Sequence, residues 1–460
     1  MKRILVALLL VLCFVLSSCQ FPQGTKTTPA TTEAIPADVF LQNLKEALSK
    51  DTSGQAQRKT ATDWLHFYGI YNFDAAKLQA VEQVYDWYFI REVPDALTVA
   101  KTVVDWVIRG VEEQVFDHTD RTELTEFLIS AYLVSVGDKY ATYLNKEDYK
   151  SFQSDTSGNF VGVGVSATFD MQKNTIEVIS VIAGSPAEGA GIQVGDFITH
   201  VDGDPVAEMG YYTSIDRIRG EEGSTVRLTI LRGEESFEVD IVRAALTEQT
   251  VYHRIIGEGE QAVGYVLITT FSEVTVPQFK TAVDELEQAG VKAIVFDMRN
   301  NGGGLLTAVL DMLDYLLPDG NPLANYVYYD GSEEFDKGDD GHKVDLPFAI
   351  VTNAYTASAA ELFSCALQDY AKEGLISHAK VVGDITYGKG TMQTLIPFND
   401  DTALTVSLAY YQPPFSPNYE GVGVIPDVKV SLPEEHAGKN PQTIPQSEDT
   451  QLTAALALFQ

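Results

Sequence analysis

The sequence predicts a multidomain protein with a helical amino-terminal region, a β-rich domain and an α/β core. Residues 38–154 repeat apolar side chains at helical spacing, as at Leu41 and Leu44. Short β-branched runs separated by Gly, Pro and Asp fill residues 155–245. From residue 262 to about 430, buried-strand patterns alternate with helical ones, which favours α/β layers. A chain of 460 residues is long enough for two or three such domains.

The composition excludes several classes of protein. Hydrophobic residues make up 45% and the mean hydropathy is −0.04, so the chain can bury a large core. The formal net charge is −33, and so acidic a surface repels phosphate backbones; we expect no nucleic-acid partner. Three cysteines exclude a disulfide scaffold or a cysteine-rich zinc module. The scattered histidines show no metal-ligand spacing, so we expect no metal site.

The first 37 residues predict export and a membrane anchor. An apolar run over residues 4–16 suits a signal-peptide core and is too short to span a bilayer. It ends in LSSC, which resembles a bacterial lipobox and implies cleavage after residue 18 and lipidation of Cys19. The alternative is an ordinary secretory signal with a chance cysteine. Residues 19–37 predict a flexible tether. We therefore expect an extracytoplasmic protein of the cell envelope, lipid-anchored to a membrane.

Residues 155–245 contain two glycine-rich segments with a distinctive pattern. The run SPAEGAGIQVGD, residues 185–196, leads into a predicted strand at Phe197–Val201 and resembles the signature of a PDZ domain. Upstream, a loop resembles the carboxylate-binding loop of such domains, in which glycines let backbone N–H groups converge on a terminal carboxylate. The residues of this loop are Val161, Gly162, Val163, Gly164 and Val165. The resemblance implies partners with free C-termini.

A serine at the start of a predicted helix is the first candidate for chemistry. The helix, from about residue 357 to 371, follows a buried strand and opens with YTASAAE, which places Ser358 near its N-terminus. The hydroxyl either caps the helix or acts as a nucleophile whose oxyanion meets free N–H groups and the positive end of the helix dipole. This segment alone favours the cap.

Two further segments bear on the choice between a helix cap and a nucleophile for Ser358. TYGKGTMQ, residues 386–393, puts Lys389 between two glycines after a strand. A lysine buried there would have a lowered pKa and serve as general base for a serine, although a lone Gly-Lys-Gly is more often a surface turn. DMRNNGGG, residues 297–304, ends a strand with glycines whose N–H groups can face a reaction centre, or form an ordinary glycine-rich turn.

In their order along the chain, these segments resemble the carboxyl-terminal processing, or tail-specific, proteases. The matching blocks are GDKYATYL (137–144), the PDZ-like segment, DMRNNGGG (297–304), SAAE (358–361), LQD (367–369), GKGTMQ (388–393) and GVGVIPD (421–427). The resemblance spans roughly residues 80–432. It implies a crotonase-like (ClpP/crotonase) α/β catalytic core over residues 246–434, with an inserted PDZ domain, and a serine endopeptidase without a cofactor. Residues 435–460 are left as a C-terminal tail, expected to be loosely ordered.

The resemblance also implies a role for each site residue. Ser358 is the nucleophile, Lys389 the general base and Gln393 the group that orients the lysine. Backbone N–H groups of Gly303 and Ala359 form the oxyanion hole. In this family the PDZ domain captures substrate C-termini and gates access to the catalytic site.

The sequence departs from the family pattern in three places. Ala360 stands where the family has a second serine, which leaves the nucleophile intact. The interval from Ser358 to Lys389 is extended around residues 372–380, and PPFSP at 413–417 replaces the usual stretch beside the substrate groove.

Alternative interpretations of the same residues stay open. Cys365 is most simply a buried small hydrophobe, and His378 lies in the extended loop without a group to orient it. A PDZ peptide-binding lipoprotein with an inactive core is the main alternative function, and an acyl-CoA enzyme on the same core a remoter one. The sequence does not identify the substrate, a homo-oligomer or an activating partner.

Overall fold

The computed structural model describes residues 35–460 apart from residues 51, 53–56, 171–172 and 340. The predicted signal peptide and the predicted lipidation site, Cys19, lie outside the described residues. No helix within the described part of the chain is both long enough and apolar enough to cross a lipid bilayer.

The first region is helical, as the apolar spacing predicts. Its helices are α1 (Ala37–Leu48), α2 (Ala61–Tyr68), α3 (Ala75–Tyr88), α4 (Ala96–Glu112), α5 (Arg121–Val136) and α6 (Lys146–Ser157), with the short strand β1 (Tyr143–Leu144) before α6. Side-chain caps begin several of them; Asp120, for example, accepts the N–H groups of Thr122 and Glu123. The apolar faces share one core with Leu404 and Val406 of a later strand, which attaches the helices to the α/β core.

The β-rich domain follows. Its elements are β2 (Asn159–Gly162), β3 (Val165–Asp170), β4 (Thr175–Val181), α7 (Pro186–Gly189), β5 (Phe197–Val201), β6 (Asp204–Pro205), α8 (Val206–Met209), α9 (Tyr211–Ile218), β7 (Thr225–Arg232), β8 (Glu235–Val242) and β9 (Ala244–Thr247). The sheet has the antiparallel order β3-β4-β5-β7-β8, with β6 on β5. Strands β2 and β9 pair with each other, so the chain enters and leaves the domain side by side, as an insertion requires.

The α/β core contains the remaining elements. They are β10 (Val251–Ile256), β11 (Val263–Ile268), α10 (Thr275–Gln288), β12 (Ile294–Asp297), α11 (Leu306–Leu316), β13 (Pro322–Tyr328), β14 (Glu333–Lys337), β15 (Phe348–Thr352), α12 (Ala359–Lys372), β16 (Ala379–Gly383), β17 (Thr391–Pro397), β18 (Ala403–Gln412), β19 (Val428–Lys429) and α13 (Thr450–Ala457). One sheet has the order β10-β11-β12-β15-β16-β19, in which every pair after β10-β11 is parallel. A second sheet has the order β1-β18-β13-β14, with β17 also on β18.

The parallel sheet is buried on both faces, which explains its continuous apolar strands. Phe296 and Ile350 point into the larger core beneath helices α10, α11 and α12, whereas Val295 and Val351 point to the opposite face. Leu452 and Ala455 of α13 cover that opposite face. The carboxyl ends of β12 and β15 therefore meet at one edge, where the glycine-rich loop and Ser358 follow them.

The prediction of a loosely ordered tail after residue 434 is wrong. Asp449 caps α13 and forms two hydrogen bonds, of 2.8 and 2.9 Å, with the fully buried guanidinium of Arg299. Arg299 also pairs with Asp297 at the end of β12. The polar sequence before α13 gives no indication of the short helix that follows. The position of this helix depends on the long-range ion pair between Asp449 and Arg299 and on apolar contact with the sheet.

We predict that Asp449→Ala destabilises the protein by about 3 kcal/mol, since it leaves the buried Arg299 without half of its carboxylate partners. Denaturant unfolding followed by tryptophan fluorescence would measure this loss. The matched control is Asp345→Ala, which breaks an exposed pair with Lys343 and should cost below about 1 kcal/mol. Equal unfolding midpoints for the two variants would contradict a role for the Arg299 pair.

Candidate active site

Ser358 lies at the N-cap of α12 in an unusual backbone conformation. Its φ is +57° and its ψ is −121°, a region that is costly for a residue with a side chain. The side chain is half-buried. The predicted position at the N-terminus of the helix is therefore confirmed, and the Ser358 hydroxyl lies beside the hydroxyl of the buried Tyr411.

Glu361, three residues after Ser358, connects the serine to the lysine loop. Its buried carboxylate accepts the N–H of Ser358 at 2.8 Å and the N–H of Lys389 at 2.8 Å. The N–H of Gly388, at 2.7 Å, and the hydroxyl of Thr386 donate to the other oxygen. Burial raises the pKa of Glu361, and these donors oppose that shift because they stabilise the charged form. One carboxylate thus fixes the backbone of both candidate catalytic residues.

Lys389 is held by Gln393, as the resemblance implies. The Lys389 Nζ donates to Gln393 Oε1 at 2.8 Å, and Gln393 Nε2 donates to the backbone carbonyl of Tyr140. The Nζ also lies 4.8 Å from the centre of the Tyr140 ring. Burial lowers the pKa of Lys389 below the usual lysine value, while the carboxylates of Asp138, Glu420 and Glu361 act in the opposite sense. The surface-turn alternative for Lys389 is therefore wrong.

Two tyrosines complete the surroundings of Ser358. The hydroxyl of Tyr411 lies 3.2 Å from Ser358 Oγ and donates to the Lys389 carbonyl at 2.9 Å. The hydroxyl of Tyr419 donates to the Ser358 carbonyl at 3.2 Å. Because Tyr411 contacts both residues, the structure brings Ser358 and Lys389 into one group.

The glycine-rich loop lies against Ser358. A Cβ on Gly303 would lie 2.7 Å from the Ser358 Cβ and 3.0 Å from the Ala359 nitrogen, so only glycine fits there. The N–H of Gly303 itself donates to Asn301 Oδ1 at 2.8 Å. Among the described residues, no protein acceptor is bound to the N–H of Ala359. Gly303 and Ala359 are thus adjacent, and a substrate oxyanion would share the Gly303 N–H with Asn301.

The loop Val161–Val165 is split between two strands. Gly162 ends β2, Val165 begins β3, and the turn between them has Gly164 at φ +92°. A Cβ on Gly164 would lie 2.2 Å from the Ser185 Cβ, which explains the glycine. Within the described chain, the N–H groups of Val163 and Gly164 have no protein acceptor. Strand β3 is an edge strand, so its outer side can take a further strand.

The two rival residues do not reach Ser358. The carbonyl of His378 accepts the N–H of Phe348, which places this histidine at the opposite end of β15 from Ser358. Its ring contacts Phe459 of the C-terminal segment. Cys365 is buried inside α12, and burial raises the pKa of its thiol, which disfavours the thiolate.

One group of metal-ligand type occurs among the described residues, away from Ser358. Asp284, Glu287 and His342 place ligand atoms within 4.8 Å of one another at half-exposed positions. His342 Nδ1 lies 2.6 Å from the Tyr315 carbonyl. None of these residues contacts Ser358 or Lys389, and the proposed peptide cleavage uses none of them.

Sequence reasoning missed three contacts at the site. Glu361 lies in the matching block SAAE, and the resemblance assigns it no role. An acidic residue three positions after an N-cap is nevertheless a capping signal, which could have indicated its contact with Ser358. Tyr411 carried no local signal, because it reaches the site only through the tertiary fold, whereas Asn301 accepts the N–H two residues after it, a local Asx-type contact.

The chain is similar to known proteins over most of its length. Residues 262–430 match the model of peptidase family S41 and residues 162–242 that of the PDZ domain. The carboxy-terminal processing protease CtpA of Bacillus subtilis is 32% identical over 325 residues, covering 70% of this chain and 67% of that protein. A CtpA-like serine protease of Staphylococcus saprophyticus is 32% identical, covering 76% and 68%. A solved photosystem II D1 C-terminal processing protease is 26% identical with a TM-score of 0.46, covering 78% of this chain and 95% of that one.

The chain belongs to peptidase family S41, as a PDZ-containing serine-type peptidase related to the carboxy-terminal processing proteases. It spans about two thirds of the length of these relatives. The family resemblance that the ordered blocks indicate is confirmed.

We predict that Glu361→Gln lowers kcat by about 10²-fold, because an amide has one acceptor oxygen for four donors and turns an N–H₂ group toward them. Steady-state cleavage of a peptide substrate would measure this. Glu373→Gln, at the exposed end of the same helix, is the control and should leave kcat within about twofold. A fully active Glu361→Gln enzyme would show that the carboxylate does not organise the site.

Proposed function

We propose that the protein is a lipid-anchored, extracytoplasmic endopeptidase that captures substrate C-termini in its PDZ domain and cleaves with a Ser358–Lys389 dyad. The observation that carries the dyad is the shared contact network: Glu361 binds both backbones, and Tyr411 contacts Ser358 Oγ and the Lys389 carbonyl. We also assign the core to the crotonase-like class. The parallel sheet with a nucleophile helix after β15 supports that assignment.

The chemistry begins with a neutral lysine. Burial favours the uncharged amine, and Gln393 Oε1 accepts one of its hydrogens, which leaves the lone pair available to the Ser358 hydroxyl. Ser358 Oγ attacks the scissile carbonyl while Lys389 takes its proton and then delivers it to the leaving amine. Water hydrolyses the acyl-enzyme, with Lys389 again acting as the base. No cofactor takes part in this sequence.

The oxyanion that forms during attack would lie between Gly303 and Ala359. The N–H of Ala359 is at the first turn of α12, where the helix dipole adds positive potential. The N–H of Gly303 would be shared with Asn301 Oδ1 or released from it. Asn301 also donates to the Ile268 carbonyl at 2.9 Å, which keeps the glycine loop in place during that exchange.

Substrate capture would use the open side of β3. A peptide that adds to this edge strand would bring its terminal carboxylate to the N–H groups of Val163 and Gly164. Helix α9 lies beside the strand, since the hydroxyl of Tyr211 donates to the Ala167 carbonyl at 3.2 Å. We therefore infer that the C-terminal residue of a substrate lies between β3 and α9.

The location rests on the leader sequence alone. The LSSC motif at residues 16–19 and the Thr- and Pro-rich segment after it support a lipid-anchored protein held at a distance from the membrane. Labelling with a radioactive fatty acid in cells, with Cys19→Ser as the control, tests this directly. Label that persists in the control would contradict the assigned site.

We predict that Ser358→Ala and Lys389→Ala each lower peptide cleavage by about 10³-fold or more while leaving thermal unfolding nearly unchanged. Lys372→Ala is the control for the lysine, because Lys372 lies exposed at the end of α12 and bonds only to Gln368 at 2.8 Å among the described residues. Substantial cleavage by Lys389→Ala would exclude the lysine as base.

The pH dependence of the reaction follows from the lowered pKa of Lys389. Below that pKa the amine is protonated and cannot accept the serine proton, so kcat/KM should rise with pH and level off below the usual lysine value of 10.5. Rates between about pH 6 and 10 on an uncharged peptide would define the curve. Lys389→Arg should be inactive throughout, because arginine stays protonated. A rate that falls with rising pH would contradict the base assignment.

Peptide capture predicts a dependence on the terminal carboxylate. Converting the C-terminal carboxylate of a substrate to an amide should raise KM about tenfold and leave kcat nearly unchanged, since the carboxylate is bound away from the reacting bond. Equal KM values for the acid and the amide would contradict capture of the C-terminus.

A further inference from the structure

The helical amino-terminal region contributes a residue to the surroundings of the catalytic lysine. Between α5 and β1, the chain passes Lys389 and Gln393, and the residue that contacts both is Tyr140. We propose that Tyr140 is a positioning residue for Lys389: its carbonyl orients the Gln393 amide and its ring forms one wall of the lysine pocket. This inference rests on the proposed function, in which Lys389 is the general base.

The carbonyl contact decides which end of the Gln393 amide faces the lysine. A backbone carbonyl can only accept, so Gln393 Nε2 must be the group that points to Tyr140. The Oε1 end is thereby turned toward Lys389 Nζ at 2.8 Å. With the amide reversed, an N–H₂ group would face the lysine, which also donates, and the lysine would lose its only side-chain acceptor among the described residues.

The ring contact acts on the lysine directly. Its centre lies 4.8 Å from the Nζ, within the range of cation–π attraction. When Lys389 takes the serine proton it becomes an ammonium, and the electron-rich ring face stabilises that charge. The half-buried ring also limits the water that reaches the amine.

The segment around Tyr140 is fixed on both sides to the sheet that carries Gln393. The Asp138 carboxylate accepts two hydrogen bonds from Ser407, one from its N–H at 2.9 Å and one from its hydroxyl at 2.7 Å. Ser407 on β18 pairs in turn with Gln393 on β17. After Tyr140, the N–H of Thr142 donates to Thr405 Oγ1 at 2.9 Å. Tyr140 therefore holds a defined place relative to Gln393.

Several charged groups face Lys389 from the elements packed around it. Asp138 lies on the Tyr140 segment, Glu361 on α12 and Glu420 on the loop after β18. Lys139 pairs with Glu420 at 3.2 Å, and the Tyr140 hydroxyl lies 3.4 Å from the same carboxylate. Arg91, from the turn after α3, interacts with Glu420 and Asp138. Substitutions of the Tyr140 ring leave these charged side chains in place and remove the contact of the Tyr140 hydroxyl with Glu420.

The test compares Tyr140→Leu with Tyr140→Phe and with Tyr143→Leu. The phenylalanine keeps the ring and removes only the hydroxyl. Tyr143, three residues further on, is the matched control, because its ring faces Lys77, a lysine outside the active site, at 5.3 Å. Peptide cleavage would give kcat and KM across the pH range, and thermal unfolding would show that each variant is folded. Tyr140→Met replaces Tyr140→Leu if the latter does not fold.

We expect Tyr140→Leu to lower kcat about tenfold with KM within about twofold, while the Phe variant and Tyr143→Leu stay near wild type. Because the ring stabilises the ammonium, its loss lowers the pKa of Lys389, and the rising limb of the pH profile should move to lower pH by roughly half a unit. Leucine is itself apolar, so burial still lowers the pKa of Lys389 in this variant.

Three results would overturn the inference. The first is a Tyr140→Leu enzyme in which kcat and the rising part of the pH profile are both unchanged. The second is an equal loss of kcat in Tyr143→Leu. The third is an equal loss of kcat in Tyr140→Phe, which would assign the effect to the hydroxyl. Lys389→Ala, measured alongside, separates a failure of the Tyr140 proposal from a failure of the proposed Ser358–Lys389 dyad. An active Lys389→Ala enzyme removes the base itself, whereas an inactive one beside a normal Tyr140→Leu removes only the role of the Tyr140 ring, because leucine keeps the backbone carbonyl.

Discussion

The buried carboxylate of Glu361 is the interaction on which the rest of the site depends. Four donors from two separate segments converge on it, two of them the N–H groups of Ser358 and Lys389. A buried carboxylate is stable only when its oxygens are so satisfied, and this requirement fixes the distance between the helix N-terminus and the lysine loop. Ser358 can then keep its strained backbone, because the surrounding bonds determine its conformation.

In the proposed mechanism, parts of the chain that are far apart in sequence each supply one condition for catalysis around this carboxylate. The parallel sheet ends at the glycine loop and Ser358, and the second sheet carries Gln393 on β17. The helical region closes the lysine pocket with Tyr140, which is 253 residues away from Gln393 in sequence. A buried lysine with a lowered pKa is costly for stability. The helical region and the C-terminal α13 enlarge the packed core that offsets this cost.

The elements that depend on local pattern could be predicted from the sequence. The strand Phe197–Val201 has the predicted bounds, and α12 begins two residues later than predicted. The grouping of Ser358, Lys389 and Gln393 came from the order of the blocks, since no local rule connects residues on different elements. The ordered C-terminal helix and the contacts of Tyr140 and Tyr411 are products of tertiary packing. A single sequence carries no signal for such contacts.

The most direct test of the central claim is the rate at which a fluorophosphonate modifies Ser358 as a function of pH, followed by intact mass and peptide mapping. The reagent forms a phosphorus–oxygen bond to an activated serine and releases fluoride, so it reports activation without any choice of peptide substrate. If Lys389 activates Ser358, one adduct forms, on Ser358, with a rate that rises with pH and is lost in Lys389→Ala. An adduct elsewhere, or equal rates with and without the Lys389 amine, would contradict this activation.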